Sequence, residues 1–212
     1  MNLDMINPHV MKIIVAAREE DSIKAIAKRV GLSYGWTQKW VKELVKEGVF
    51  KEKWRGVILQ EKNITYQEII KFIKKSVNEV SLYYAILQLS GICYCFTKTD
   101  AVYIWTEGRY NIARYKNFYP IFIKIHQKDY DLFIKYCKKL QLRINDKKNA
   151  FYVPERVNSI TAISKNNFFV EPLDNTINFM KKNIYNFEPA LEMIDEMYEK
   201  NLKIKYKEVN SL

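Results

Sequence analysis

The stretch GLSYGWTQKWVKEL, Gly31 to Leu44, sets two tryptophans four residues apart inside a segment with helical spacing. Thr37, Val41 and Leu44 recur at intervals of four and three, the period of one buried helix face. Trp40 falls on the flank of that face and is expected to be mostly buried. Tyr34, Trp36, Gln38, Lys39 and Lys42 fall on the outer side. Ser33 stands where an N-cap is needed, and Gly48 stands where the helix must stop, so the helix is expected over about residues 34–46. Trp36 has two readings. It meets a partner from the outer face, or it packs against Tyr34 or the hairpin that follows the helix.

The flanking segments extend the pattern. PHVMKIIVAAREE carries apolar residues at Val10, Ile13, Ile14 and Ala17, which predicts a first helix. DSIKAIAKRVGL predicts a second, opened by Asp21 or Ser22, lined by Ile23, Ile26, Ala27 and Val30, and closed at Gly31. Two β-capable runs follow, Val49–Lys53 and Val57–Lys62, with the tight turn Trp54-Arg55-Gly56 between them. Three helices and a hairpin, in that order and with the Gly-Leu-Ser turn and the Gly48-Val49 exit, resemble the winged helix-turn-helix family. The resemblance covers about the first 60 residues. It implies a DNA-binding domain over 1–63, with the helix at 34–46 in the major groove and the wing at 54–56 on the backbone or minor groove. On that reading Gln38 meets an adenine edge, and Lys39 a guanine or a phosphate. Ser33, Tyr34, Trp36 and Trp54 lie along the interface, Lys42 and Lys46 hold phosphates, and Arg55 reaches the adjacent minor groove or the backbone.

The chain carries 35 Lys and Arg against 24 Asp and Glu, a formal net charge of +11, which suits a polyanionic partner. The excess is spread along the chain, so charge does not by itself single out one segment. No apolar run reaches membrane-spanning length, and MNLDMINPHVMK lacks the pattern of a secretory leader. Three cysteines fit reduced thiols better than a disulfide framework, and a cytoplasmic setting is expected.

Residues 64–212 are expected to form an α+β domain with a small mixed sheet of four to six strands. ITYQEIIKFIKKSVNEV, SLYYAILQLSGI, QKDYDLFIKYCKKLQ and LDNTINFMKKN predict helices. EPALEMIDEMYEK predicts a closing helix started by Glu188-Pro189. ICYCF, AVYIWTE, YPIFIKIH, LRIND, AFYVPE, ITAIS and NFFVEP predict strands. The tail NLKIKYKEVNSL is expected to fray. This second half is assigned dimerisation, the sensing of a small effector, or the holding of a protein partner.

Patterns for chemistry are weak. Cys93 and Cys95 with His126 could approach a soft metal, but the spacing is unusual and no fourth ligand is evident, so core-facing strand cysteines are favoured. Asp100 and Glu107 would stand roughly 23 Å apart at the ends of one strand, too far to share a metal. Asp129 and Asp131 point to different helix faces. No glycine-rich phosphate loop occurs. Neither a catalytic centre, a metal nor a cofactor is expected. Double-stranded DNA is the expected partner, bound by a homodimer, and a protein-interaction module is the alternative. A fainter resemblance over the whole chain is to AbiEi-type antitoxins, carried by the order of YYAILQLSG, PLDNTINFMKK and PALEMI behind the winged helix. It implies an autorepressor whose C-terminal domain holds a partner protein.

Overall fold

The computed structural model describes residues 7–204, and the expected fraying of 205–212 lies outside them. The fold is α+β: nine helices, a three-stranded sheet and a five-stranded sheet among the described residues. No helix in this range is long and apolar enough to cross a membrane. The chain divides into two units. The first runs to Ile92 and adds Asp131–Leu142; the second holds Cys93–Tyr130 and the chain from Arg143 onward. The boundary expected at residue 63 therefore falls inside the first unit.

In the first unit α1 (Pro8–Ala16) is capped by Asn7, whose side chain accepts from the amides of His9 and Val10. Strand β1 (Glu20–Asp21) leads to α2 (Ile23–Val30), capped by Ser22 and closed by Gly31 at φ 68°. Next come α3 (Tyr34–Lys46), capped by Ser33, and the hairpin of β2 (Phe50–Lys53) and β3 (Gly56–Leu59). Strand β3 lies in the middle of the sheet, antiparallel to both neighbours, in the order β1-β3-β2. Helix α4 (Ile64–Ser76) starts on Asn63, which accepts from Tyr66 N at 2.9 Å and donates to Glu47 O at 3.1 Å. Helix α5 (Glu79–Ser90) ends at Gly91 in the left-handed region.

Hydrophobic burial explains why this unit outgrows residues 1–63. Its core joins Ile13, Ile14, Val41 and Leu44 to Tyr66, Ile69 and Ile73 of α4 and Leu82 and Ile86 of α5. It also takes Tyr136 and Leu140 from a helix more than forty residues further along the chain, α7 (Tyr130–Leu140). Polar chemistry fixes that distant helix in place. The carbonyls at the end of α1 lack helical partners and carry the negative end of its dipole. Ala16 O accepts from Tyr136 Oη at 2.6 Å and from Arg29 Nε at 3.1 Å. Lys139 Nζ donates to Ile14 O at 2.7 Å and to Ala17 O at 2.6 Å. Burial pushes the Lys139 ammonium down to about 7.

The second unit is built on β4 (Tyr94–Phe96), β5 (Phe118–His126), β6 (Asn149–Val157), β7 (Ile163–Lys165) and β8 (Phe168–Val170). Their order is β6-β5-β4-β8-β7, with β5–β6 and β4–β8 parallel and the other pairs antiparallel. The expected mixed sheet is thus present with five strands. Ile144 of LRIND makes only an isolated bridge to Tyr152.

LRIND is thus not a strand, and two further expectations are corrected. AVYIWTE is not a strand: it belongs to α6 (Lys98–Trp105), where Ala101, Val102, Ile104 and Trp105 are buried. Positions i, i+1, i+3 and i+4 form a helical stripe, and tertiary burial outweighs the β-branched and aromatic composition. After α8 (Leu173–Lys182), the last helix α9 (Ile184–Tyr198) starts four residues before Glu188, and Pro189 lies inside it. Phe187, Ala190, Leu191 and Ile194 bury their side chains from α9, which holds the helix across the proline.

Candidate nucleic-acid interface

Helix α3 buries Thr37, Val41 and Leu44, the face expected from spacing. Thr37 donates from its hydroxyl to Ser33 O at 2.9 Å, so even the polar member of that face is satisfied. At about 100° per residue, the rest of the helix presents two distinct flanks.

One flank opens on a cleft of about 350 Å³ between α3, the start of α2 and the β2–β3 hairpin. Tyr34, Gln38 and Lys42 reach it from α3, Lys24 from the first turn of α2, and Lys53 and Arg55 from the hairpin. Lys24, Lys42 and Arg55 have no carboxylate partner among the described residues, whereas Lys53 is paired with Glu20. The cleft floor is fixed by close backbone approach. A Cβ on Gly56 would sit 2.3 Å from Asp21 O, so only glycine lets β3 pass this close to the end of β1.

The other flank carries Trp36. It is 51% exposed, stacks on Trp40 with ring centroids 6.5 Å apart, and meets the His9 ring at 5.8 Å. Lys39 Nζ lies 5.0 Å from the Trp36 ring and 5.3 Å from that of Trp40. The expected packing of Trp36 on Tyr34 or the hairpin is therefore replaced by packing on Trp40 and His9. Trp40 is half-buried against the core, as expected for the flank.

The remaining expected residues separate by role. The Ser33 hydroxyl caps α3 by accepting from Trp36 N at 3.3 Å. Lys46 pairs with Glu43 at 2.8 Å on the exposed surface. Trp54 is 83% exposed at the hairpin tip, and the Arg55 guanidinium lies 5.7 Å from its ring. The pair forms a two-residue turn, with Arg55 at φ 63°. Lys24 and Lys53 were not expected in this group. Lys24 stands two residues after the Ser22 cap, in the first turn of α2, and the acidic run Glu19-Glu20-Asp21 before it gives no signal of a basic cleft.

The acidic residues weighed for catalysis do not converge. Asp100 is fully buried in the first turn of α6, where it accepts from Arg114 at 2.5 Å and from Phe122 N at 2.6 Å. Glu107 pairs with Lys165 at 3.0 Å, which holds its carboxyl below the usual range. Asp129 accepts from Cys93 N at 2.9 Å. Cys93 is exposed and Cys95 is buried, and burial beside Glu171 pushes the Cys95 thiol up to about 12. No group of three His, Cys, Asp or Glu side chains suited to a metal occurs among the described residues. Compared with family models, curated proteins and solved structures, the chain matches none.

Proposed function

We propose that the chain is a sequence-specific double-stranded DNA-binding transcriptional regulator, with a winged helix at its N-terminal end. The observation that carries this reading is the cleft: it gathers three unpaired cations, an amide and a phenol from α2, α3 and the hairpin around one exposed helix flank, with Glu52 the one carboxylate among its lining residues. The element order α1, β1, α2, α3, β2, β3 and the antiparallel hairpin agree with that resemblance. A major groove about 12 Å wide admits one helix, and α3 would enter it. Gln38 would then offer a bidentate partner to an adenine edge, and Lys39, at the outermost point of the helix, would meet guanine or phosphate. Lys42, Lys24 and Arg55 would hold phosphates and set the register. One such helix reads few base pairs, so two copies on a two-fold site would be needed for a long operator.

Enrichment from a random duplex pool tests the reading. The protein should return one short motif, and Gln38→Ala should lose enrichment at one position while keeping the rest. A pool with no enriched motif would overturn it.

A further inference from the structure

The first unit has a second concavity besides the cleft. It lies between the segment that joins α1 to β1, the segment after β3, α4 and α7, and measures about 1060 Å³. Seven Lys and Arg side chains line it against two Glu. Four of the cations are committed: Lys139 donates to the end of α1, Lys74 Nζ donates to Gln141 Oε1 at 2.7 Å, Arg18 Nη2 donates to Ser90 O at 3.3 Å, and Lys135 pairs with Glu19 at 3.9 Å. Lys62, Lys71 and Lys138 form no ion pair among the described residues. The wall also has a buried polar group without a partner. Tyr66 is 4% exposed, and its hydroxyl has no hydrogen-bond partner among the described residues. Burial and the neighbouring Glu61 carboxylate raise its pKa, so the phenol keeps its proton and remains a donor. Arg18 Nε is likewise buried without an acceptor.

Native proteins leave few buried donors unmet, and a cavity of this size is in the range that takes small molecules. An anion would neutralise the uncommitted lysines, and a small shift of the wall would bring the Tyr66 hydroxyl to it. Leu59, Ile70 and Leu132 add apolar surface, and Gln60 and Gln67 add amides that can pair with a base edge. We infer that this cavity binds a nucleoside phosphate, its phosphates at Lys62, Lys71 and Lys138 and its ring on the Leu59–Ile70–Leu132 wall.

The cavity is linked to the cleft through one ladder. Leu59 N donates to Glu19 O at 2.9 Å, and both residues line the cavity. The next pairs along the same two segments are Glu20↔Ile58 and Asp21↔Val57, which lead to Ser22, Gly56 and Val57 in the cleft wall. A ligand that shifts this ladder changes the position of the hairpin, and the effects on nucleotide and DNA affinity must be reciprocal. This coupling, unlike the binding itself, rests on the DNA-binding reading.

Calorimetric titration of the full chain with ADP, without DNA or divalent cations, tests the site directly. One saturable site is expected, weakened at least tenfold by Lys71→Ala and by Tyr66→Phe, with pyrophosphate binding at least tenfold more weakly than ADP. No saturable binding by ADP or ATP, or binding unchanged in both variants, would overturn the inference. Equal affinity for pyrophosphate would overturn the assignment of the ring. Repeating the titration with duplex present separates the two claims. ADP binding with no DNA binding sinks the regulator and leaves the cavity standing; DNA binding indifferent to bound ADP sinks the coupling.

Discussion

The basic concavities of the first unit and the buried ion pairs of both units use charge in opposite ways. In the first, Lys24, Lys42 and Arg55 around the cleft, and Lys62, Lys71 and Lys138 around the larger cavity, have no carboxylate partners among the described residues. The buried charges are paired: Arg29 with Asp21 in the first unit, and Asp100 with Arg114 and Glu171 with Lys124 in the second. The Asp100 and Arg114 side chains are 0% and 1% exposed. Thr97 donates to the Glu171 carboxylate and Trp105 Nε1 to its backbone carbonyl, so that pair is further held by neutral donors. Buried and satisfied pairs hold a fold together but offer little to a ligand, whereas uncommitted cations in a concavity cost self-repulsion unless a polyanion relieves it. The proposed function rests on the first kind of charge, the uncommitted cations of the first unit, while the buried pairs of both units hold structure.

The largest expected effect tests the structural half of that comparison. Asp100→Ala removes the carboxylate facing Arg114 and Phe122 N, and should destabilise the second unit by about 3–5 kcal/mol. Hydrogen exchange should show lost protection in β4, β5 and α6 with α1–α4 retained. A loss spread equally over both units would break the distinction. Gly56→Ala comes next. Its Cβ would press on Asp21 O, and forcing β3 from β1 should cost about 1–3 kcal/mol and weaken duplex binding together. Denaturant titration and DNA affinity measured on one sample check both effects.

A pH effect of intermediate size belongs to Lys139. Its folded pKa of about 7 lies below its ordinary 10.5, so between these values the unfolded chain binds more protons. Stability should therefore rise with pH across that window, by at most about 1.4 kcal/mol per pH unit, and the gain should be absent below it. Lys139→Met should flatten the slope in a urea series run from pH 7 to 10. The smallest effect is at Asn63, which caps α4 and holds the end of α3. Asn63→Ala should cost about 1 kcal/mol by thermal unfolding, and Asn63→Asp, which keeps the acceptor, should recover part of it.

Legibility differed between the units for the same physical reasons. Helix α3 could be read because local periodicity and local caps determine it: Thr37, Val41 and Leu44 on one face, Ser33 before it, Gly48 after it. The hairpin was legible from its turn. The place of α7 was not, since Tyr136 and Lys139 serve carbonyls more than a hundred residues earlier, and no local signal encodes such a contact. Helix α6 was misread because its residues favour strands, while its buried Asp100 and its packing favour a helix. At the candidate interface, the outer flank of α3 was legible. The contributions of Lys24 and Lys53 required the spatial approach of α2 and the hairpin to become visible.

The measurement that bears most directly on the central claim is a fluorescence-polarisation titration of the protein against a duplex from its own upstream region and a scrambled duplex, each at two salt concentrations. Tighter, salt-sensitive binding to the native duplex is expected, and Lys42→Ala and Arg55→Ala should each lower the salt slope by about 1. Equal, weak binding to both duplexes, with a slope that neither substitution changes, would contradict the assignment of the cleft to DNA.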